Sequence, residues 1–365
     1  MAVIKKALLF VLLISFVVWA LIWLHEYRVG TFKQCSVPSL PIHGRTKLNL
    51  HGLKNDTGPF DLASVLNAIT YPETPFVART KTDPDFWLAV YRFPNLTWEA
   101  HAGAIINYGG VWEPRETELA KTILKECTAT SLVLDVGGFV GYYAMLSALM
   151  GCKVKVWEGH PTNAFMIQFS AALNSLTDYI TVYNRVATDA STPMMFSGIH
   201  MDGHVADSYQ NSDNPEFKKL ITQQPESGYN VHPLGVDQAI PTGEVLLLLV
   251  DVEGYEPHVF RSARQLMSQR RVKYVILEYN MWRAMTVDEG VNMVMEFMSY
   301  GYRVFELPHG LCPYRRIRDR EQILQISREL QNKTYSCTKW CISLLLTRDG
   351  LPNEITSKYH FEGVS

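Results

Sequence analysis

A turn rich in glycine follows the apolar run 131–134 of this 365-residue chain. Asp135 ends the run, and Gly137, Gly138 and Gly141 come shortly after it. Glycine lets a backbone approach a ligand closely, and the first turn of a following helix offers free N–H groups. The turn is not a P-loop, because no Gly-Lys-Ser/Thr follows the glycines. These residues indicate a ligand-binding turn of another kind, with a simple tight turn as the alternative.

A second acid, Glu158, ends the next strand-like run, 23 residues after Asp135. An acid at about this distance binds ribose hydroxyls in nucleotide-type sites. Because an acid stands where such turns carry their first glycine, the pattern favours a cofactor without a pyrophosphate. The cofactor that fits is S-adenosylmethionine, a cationic methyl donor with an adenosine end.

Three more acids, Asp251, Glu253 and Glu278, follow or end later apolar runs. Ligands of open α/β sheets bind just outside the carboxyl ends of the strands, so these acids lie where a site is expected. A carboxylate there could act as a general base. The alternative is that Asp251 caps the next helix and Glu253 contacts its first amide groups. No residue is assigned as a metal ligand.

The runs that carry these acids alternate with helix-like stretches, which is typical of βαβ units. A fully apolar strand such as 245–250 fits a sheet that is covered on both faces. We therefore predict a doubly wound, mostly parallel, seven-stranded α/β sheet. The predicted strands are 131–135, 153–158, 179–183, 245–250, 272–277, 302–306 and 340–346, and the predicted helices are 116–125, 142–150, 163–174, 257–269 and 287–300.

An unbroken apolar run, Ala7–Leu24, lies near the start of the chain, after Lys5 and Lys6. As a helix it spans about 27 Å, close to the roughly 30 Å of a bilayer core. The run predicts one membrane anchor in the lipid bilayer. The preceding lysines place the N-terminus in the cytosol and the body in the lumen of the Golgi or ER, as in a type II protein. A cleaved signal peptide is the alternative.

The predicted organisation is a single catalytic domain behind this anchor. Its parts are a cytosolic tail (1–6), the anchor (7–24), a stem (25–60), a lead-in (61–130), a main domain (131–347) with an insertion at 197–229 and a cysteine-containing excursion at 308–338, and a tail (348–365).

Sequons and cysteines agree with a lumenal body. Six cysteines are present, and we favour a disulfide between Cys312 and either Cys337 or Cys341, because all three lie in one C-terminal segment. The three N-x-S/T sequons begin at Asn55, Asn95 and Asn332.

Several segments resemble, in order and spacing, the FkbM family of S-adenosylmethionine-dependent methyltransferases. The Asp-Val-Glu-Gly block at 251–254 is the most diagnostic of them. Three positions depart from the family pattern: Gly138-Phe139 replaces Ala-Asn, Gly159 replaces Pro, and Leu249 replaces Lys. The last departure removes a positive charge near the reacting centre. The similar segments are 134–143, 157–163, 184–189, 249–256 and 276–278, within about residues 105–306.

The resemblance implies a Rossmann-like class I methyltransferase and roles for single residues. Glu158 would bind the ribose, Val186 and Ala187 would lie near the adenine, and the turn of Asp135, Gly137, Gly138 and Gly141 would shape the methionine pocket. Asp251 and Glu253 would face the sulfonium or the acceptor. Members of the family methylate hydroxyl groups, mostly on sugars and small alcohols.

A sugar hydroxyl is a poor nucleophile, so a positioned base helps methyl transfer. Asp251 and Glu253 are the favoured candidates, with Glu278 as a third. The resulting hypothesis is an enzyme that O-methylates a sugar of a glycan in the secretory lumen. The alternatives are a small-molecule, lipid or protein acceptor, and a non-catalytic domain that binds S-adenosylmethionine. The balance of 34 basic and 36 acidic residues gives no indication of a nucleic-acid partner.

Other motifs are given plainer interpretations. The Asp83-Pro-Asp85 triplet invites a metal-dependent glycosyltransferase hypothesis, but it is predicted to be an exposed turn. The segment from His200 to His204 is predicted to be a solvent loop. The arginines at 315–320 are predicted to form a solvated face, with an anionic glycan partner as the alternative.

Overall fold

The computed structural model describes residues 76–90, 111–197, 204–205, 228–281, 285–307, 314–336, 341–351, 353–358 and 361–362. The strands are β1 (Phe76–Arg79), β2 (Trp87–Val90), β3 (Leu132–Val136), β4 (Lys153–Trp157), β5 (Ile180–Tyr183), β6 (Met194–Ser197), β7 (His204–Val205), β8 (Gly228–Val231), β9 (Val245–Val250), β10 (Val272–Tyr279), β11 (Arg303–Leu307), β12 (Tyr314–Ile317), β13 (Ile342–Thr347) and β14 (Phe361–Glu362). The helices are α1 (Pro114–Leu124), α2 (Tyr142–Leu149), α3 (Pro161–Leu173), α4 (Val236–Ala239), α5 (Glu256–Ser262), α6 (Arg264–Ser268), α7 (Val287–Ser299), α8 (Arg320–Gln331) and α9 (Asn353–Lys358).

The central sheet has its strands in the order β14–β12–β11–β13–β10–β9–β3–β4–β5. The run from β10 to β5 is parallel throughout, whereas β13 is antiparallel to both β10 and β11. The strand order reverses between β3 and β9, which is the topological switch point of a doubly wound sheet. The predicted Rossmann-like, mostly parallel α/β architecture is confirmed.

The middle of this sheet is apolar on both faces, because helices cover both. Strand β9 reads Val-Leu-Leu-Leu-Leu-Val, and its side chains alternate between two buried clusters. Helices α1, α2 and α3 supply one cluster, and α4 to α8 supply the other. Removal of this apolar surface from water is the main force that holds the layers together.

The predicted strand count is wrong, because within the described residues nine strands form the sheet and not seven. The excursion 308–338 and the C-terminal tail were expected to lie outside it. Instead β12 pairs with β11, and the two-residue strand β14 pairs with β12 at the edge. Both added strands are short and polar, so they lack the apolar pattern that marks buried strands.

The insertion at 197–229 is framed by a second, small sheet. Strand β6 pairs with β7 on one side and with β8 on the other, all antiparallel. The ends of the insertion are therefore strands and not a plain loop. Its remaining residues, including the middle of the predicted lid, lie outside the described part of the chain.

The single helix predicted for 257–269 is two helices that meet at Ala263. The carboxylate of Asp237 accepts hydrogen bonds from the backbone N–H groups of Gln265 (2.7 Å) and Leu266 (2.8 Å). Free N–H groups in the first turn of a helix need such acceptors. The cap thus comes from a residue distant in sequence, which periodicity could not reveal.

The part of the lead-in that the structure describes packs on the main domain. The hairpin of β1 and β2 contacts α3, where the backbone N–H of Ala89 donates to Ser170 Oγ at 2.9 Å. Asp83 and Asp85 lie in its turn, and Asp85 pairs with Arg79. The predicted exposed turn is confirmed, and the carboxylate of Asp85 forms its ion pair with an arginine of the same hairpin.

A disulfide joins Cys127, just after α1, to Cys152, just before β4. It was not among the favoured pairs. Cys341 is a free thiol, so the predicted pairing of Cys312 with Cys341 is wrong. The alternative pairing, Cys312 with Cys337, lies outside the described residues. Cysteines 25 residues apart in sequence gave no signal, because only the packing of α1 against the sheet brings them together.

We expect removal of this disulfide by the Cys127→Ala and Cys152→Ala double substitution to lower the free energy of unfolding by about 3 kcal/mol, because the unfolded chain regains the entropy of the closed loop. Urea denaturation of the oxidised proteins measures the difference. A reducing agent should destabilise the parent protein and leave the double variant unchanged. Equal stability of parent and variant under oxidising conditions would contradict the bond.

The predicted anchor and stem, residues 7–24 and 25–60, lie outside the described residues. Within the parts of the chain that the structure describes, no helix is both long and apolar enough to cross a bilayer.

Candidate functional site

The glycine-rich turn lies at the switch point, between the ends of β3 and β9. Gly137 has a φ of +88°, and a Cβ there would lie 1.7 Å from the backbone oxygen of Asp251. A Cβ at Gly138 would lie 2.3 Å from Val156 Cγ1, and Gly141 has a φ of +91° as α2 begins. The turn therefore needs glycine at Gly137 for both conformation and space.

Glu158 braces this turn from the neighbouring strand. Its Oε2 accepts from the N–H of Phe139 at 2.8 Å, and its Oε1 accepts from the N–H of His160 at 2.6 Å. Burial raises the pKa of Glu158 to about 8, against these hydrogen bonds. A carboxylate has about four acceptor positions, and the side chain of Asn163 also hydrogen-bonds to this one, so about one position remains for a ribose hydroxyl.

Phe139 and Gly159, beside the turn, differ from the similar family, and each has an unusual backbone conformation or a close contact in the structure. Phe139, where the similar family has Asn, has a φ of +47°, a conformation that Asn tolerates better than Phe. Gly159, where the family has Pro, lies against the ring of Phe196 in β6, which a Cβ would approach to 2.4 Å. The small sheet of the insertion thus touches the loop that follows Glu158.

Asp135 is a buried acid with no cation beside it. Among the described residues, no hydrogen-bond partner reaches its Oδ2. Burial raises its pKa to about 7, and a hydrogen bond with the backbone at Ala144 opposes the rise. The register pairs Asp135 with Leu249, the position where the similar family has Lys. The unbonded Oδ2 of Asp135 lies beside the turn in which only glycine fits at position 137. This arrangement fits a polar, positively charged ligand such as S-adenosylmethionine.

We expect Asp135→Asn to stabilise the fold more at pH 8 than at pH 5. The pKa of Asp135 is higher in the folded chain than in the unfolded chain, so the stability contributed by its protonated form is lost as pH rises from about 4 through 7. Asn does not ionise and escapes this loss, so the gain should grow by about 3 kcal/mol across that interval.

Urea denaturation at the two pH values measures this gain. Asp178→Asn is the control, since Asp178 is an exposed aspartate at another edge of the fold. A gain that does not depend on pH would show that Asp135 is ionised in the folded protein.

The three predicted catalytic acids come together. Asp251 follows β9, Glu253 lies two residues on with a φ of +58°, and Glu278 lies near the end of β10. One carboxylate oxygen of each lies within 4.8 Å of the others. Such a group could hold a metal ion, although the sequence assigned none. Asn280 Nδ2 donates to Glu253 Oε2 at 2.9 Å and to Glu278 Oε2 at 3.4 Å.

The electrostatics of this acid cluster (Asp251, Glu253 and Glu278) favour one retained proton. Burial raises the pKa of Glu278 to about 8, and the charge of Glu253 adds to the rise. Hydrogen bonds with Asp251 and with the thiol of Cys341 act in the opposite direction. Burial outweighs these hydrogen bonds, so Glu278 keeps its proton to a higher pH than an ordinary glutamate. It lies within hydrogen-bond reach of Asp251, the exposed member of the cluster.

A fourth acid, Glu113, borders the cluster and was not selected from the sequence. Tyr143 Oη donates to Glu113 Oε2 at 2.8 Å. Burial raises the pKa of Glu113 to about 8, and the charge of Asp251 adds to the rise. An acid just before a helix looks like ordinary capping, so no signal marked it. Its backbone φ of +41° is unusual for a residue other than glycine.

The predicted adenine residues lie at the same sheet edge. Val186 and Ala187 follow β5 and are buried. Asn184 Nδ2 donates to the backbone oxygens of Glu158 (2.8 Å) and Gly159 (2.9 Å), which ties this loop to the end of β4. The site roles of these residues stay predictions.

Residues 135–304 match the family described as Methyltransferase FkbM domain, slightly less than half of the chain. The match supports methyl transfer from S-adenosylmethionine, and the predicted cofactor is confirmed. The predicted domain bounds 131–347 stay a prediction. No curated protein matches.

Solved structures are similar at low identity. An O-methyltransferase from Bacillus cereus in complex with SAH is 11% identical, with 68% of this chain and 87% of that chain covered and a TM-score of 0.32. A SAM-dependent methyltransferase from Agrobacterium tumefaciens is 11% identical, with 76% and 73% covered and a TM-score of 0.38. Trm5b from Pyrococcus abyssi is 10% identical, with 77% and 57% covered and a TM-score of 0.35.

Proposed function

We propose that this chain transfers a methyl group from S-adenosylmethionine to a hydroxyl of a sugar on a glycan in the secretory lumen. The observation that carries the proposal is the convergence of Asp251, Glu253 and Glu278 beside the glycine turn. A base within reach of a cofactor turn is what methylation of a weakly acidic hydroxyl requires.

Each residue of the site is given a role that follows from its position. When bound, S-adenosylmethionine supplies a methyl group carried on a positively charged sulfur. Gly137 lets the turn lie against the backbone at the end of β9, and Glu158 would accept a hydrogen bond from the ribose of the cofactor. Asp251 accepts the proton of the acceptor hydroxyl, because it is the exposed carboxylate of the cluster. Glu278 forms a hydrogen bond with Asp251, which fixes the direction in which Asp251 faces.

We place the protein in the Golgi or ER as a type II protein, anchored by residues 7–24. The disulfide between Cys127 and Cys152 supports an oxidising compartment. Asn332 of one sequon is exposed at the end of α8, where a glycan can be attached. Glycans are abundant hydroxyl compounds of that compartment, and this supports a sugar as the acceptor.

A non-catalytic domain is the second candidate. Leu249 pairs with Asp135 at the position where the similar family has a lysine. The absence of this lysine is the observation that favours a non-catalytic domain. This candidate predicts binding of S-adenosylmethionine without turnover. A small-molecule, lipid or protein acceptor is the remaining alternative within the enzyme class.

The test is a methylation assay on the full chain, purified from a secretory host in mild detergent. The protein receives S-adenosylmethionine and separate pools of glycans, lipids, proteins and small alcohols, and mass spectrometry reports products heavier by one methyl group. A methylated glycan that disappears with Glu158→Ala supports the proposal. Methylation confined to another pool would mean that the acceptor belongs to that pool and is not a glycan. Binding of S-adenosylmethionine without any product would favour the non-catalytic domain.

A further inference from the structure

A basic groove lies at the opposite end of the sheet from the acid cluster. It has a volume of about 370 Å³ and is lined by Met298, Tyr302, Arg303, Arg316, Ile317 and Arg318. Strand β11 runs parallel to β10, since both are antiparallel to β13. Its first residue, Arg303, therefore lies at the edge away from the carboxyl ends, so the groove is separate from the methyl-transfer site.

Two strands bring the three arginines together. Val304 pairs with Ile317 in the antiparallel hairpin of β11 and β12. Arg303 precedes the first of these residues and Arg318 follows the second, so the two arginines lie opposite each other. Arg316 is two positions from Arg318 and points to the same side of the hairpin.

Within the described residues, Arg303 and Arg316 form no ion pair, in contrast to Arg315 next to them. The guanidinium of Arg315 pairs with the buried carboxylate of Glu306 and contacts the hydroxyl of Tyr335. Arg315 is thus held by the fold, although its side chain is 45% exposed. Arg318 and Arg320 are exposed, as predicted for a solvated face, whereas Arg316 is half-buried. The two unpaired guanidinium groups have donors available for a ligand.

The charge of the groove is positive on balance. Helix α7 ends beside it, and the carbonyl groups there carry a partial charge of about −0.5. Three guanidinium groups outweigh that charge several times. Helix α8 begins just beyond Arg318, but the carboxylates of its N-cap Asp319 and of Glu321 in the first turn offset the positive potential of its N-terminus.

We propose that this groove binds an acidic oligosaccharide through its sulfate or carboxylate groups. The planar guanidinium fork pairs with such groups through two parallel hydrogen bonds. Two forks, those of Arg303 and Arg316, can each pair with an anionic group of one chain, in a groove of about 370 Å³. Met298 is half-buried and adds a small apolar surface beside them, whereas Tyr302 and Ile317 are buried. The choice of a saccharide as carrier rests on the proposed function, whereas the anion site does not.

The test measures binding of a fluorescent heparin-derived hexasaccharide to the full chain. We expect Arg303→Glu with Arg316→Glu to weaken binding roughly thirtyfold or more, since each exposed charge contact is worth a factor of about five and each reversal adds repulsion. The matched control is Arg328→Glu with Lys81→Glu, which reverses the same number of charges at two exposed positions away from the groove. This control should bind within about twofold of the parent, as expected for screened, distant charges. Thermal unfolding checks that all variants are folded.

Several results would overturn the proposal. Equal losses in the control and the groove variant would mean that net charge alone attracts the hexasaccharide. Full binding by the groove variant would place the ligand elsewhere. Complete displacement by an equal concentration of inorganic sulfate would reduce the site to one for single anions. Binding to phosphatidylserine vesicles without binding to the hexasaccharide would mean that the groove binds a membrane surface and not a saccharide. None of these outcomes depends on methyl transfer, so they leave the proposed function intact.

Discussion

Replacing Asp251 by Asn is expected to slow methyl transfer by roughly a hundred- to ten-thousandfold, the usual contribution of a general base. The amide has nearly the shape of the carboxylate but does not accept the proton of the acceptor hydroxyl. The backbone oxygen of Asp251 touches the glycine turn, but the side chain does not enter that contact. The affinity for S-adenosylmethionine should therefore change by less than about threefold.

Single-turnover rates and equilibrium dialysis separate these two effects. Asp349→Asn is the control, because Asp349 is exposed and pairs with Arg348 at the opposite sheet edge. Glu278→Gln should have a smaller effect than Asp251→Asn, since a glutamine amide can still form a hydrogen bond with Asp251. If Glu278→Gln abolished the reaction while Asp251→Asn retained it, the roles of the two acids would be reversed.

Gly137→Ala is expected to abolish cofactor binding and to destabilise the fold by more than about 4 kcal/mol, a loss typical of severe overpacking. A methyl group at this position would overlap the backbone oxygen of Asp251 at 1.7 Å. Neither partner is a flexible side chain, so the end of β9 must move. That movement displaces the acid cluster and closes the space beside the turn.

The matched control for this substitution is Gly243→Ala. Gly243 has a φ of +90°, nearly that of Gly137, but a Cβ there meets no atom within 4 Å. It should lose only the about 1–2 kcal/mol that a left-handed conformation costs alanine. Urea denaturation and calorimetric titration with S-adenosylmethionine measure both variants. Equal losses of stability would mean that backbone conformation, and not the contact with Asp251, requires glycine at 137.

The sequence was informative where chemistry and strand ends coincide. Asp135, Glu158 and Asp251 each follow or end an apolar run, and the parallel sheet brings such ends to one edge. The central strands and most helices were predicted within a few residues for the same reason, because burial on both faces leaves a long apolar signal.

Features that depend on tertiary contact were not predictable in this way. Glu113 reaches the acid cluster because α1 packs beside α2, where Tyr143 donates to its carboxylate. The edge strands β12 and β14 are short and polar, so only pairing with a neighbour defines them. The bond between Cys127 and Cys152 likewise depends on packing, which spacing along the chain does not encode.

The contact between Gly159 and Phe196 couples the tolerance of these two positions to substitution. A Cβ at 159 would lie 2.4 Å from Cε2 of Phe196, so the ring must move before alanine or proline fits there. A smaller residue at 196 removes the need for that movement. The effects of substitutions at 159 and 196 on the free energy of unfolding are therefore not additive.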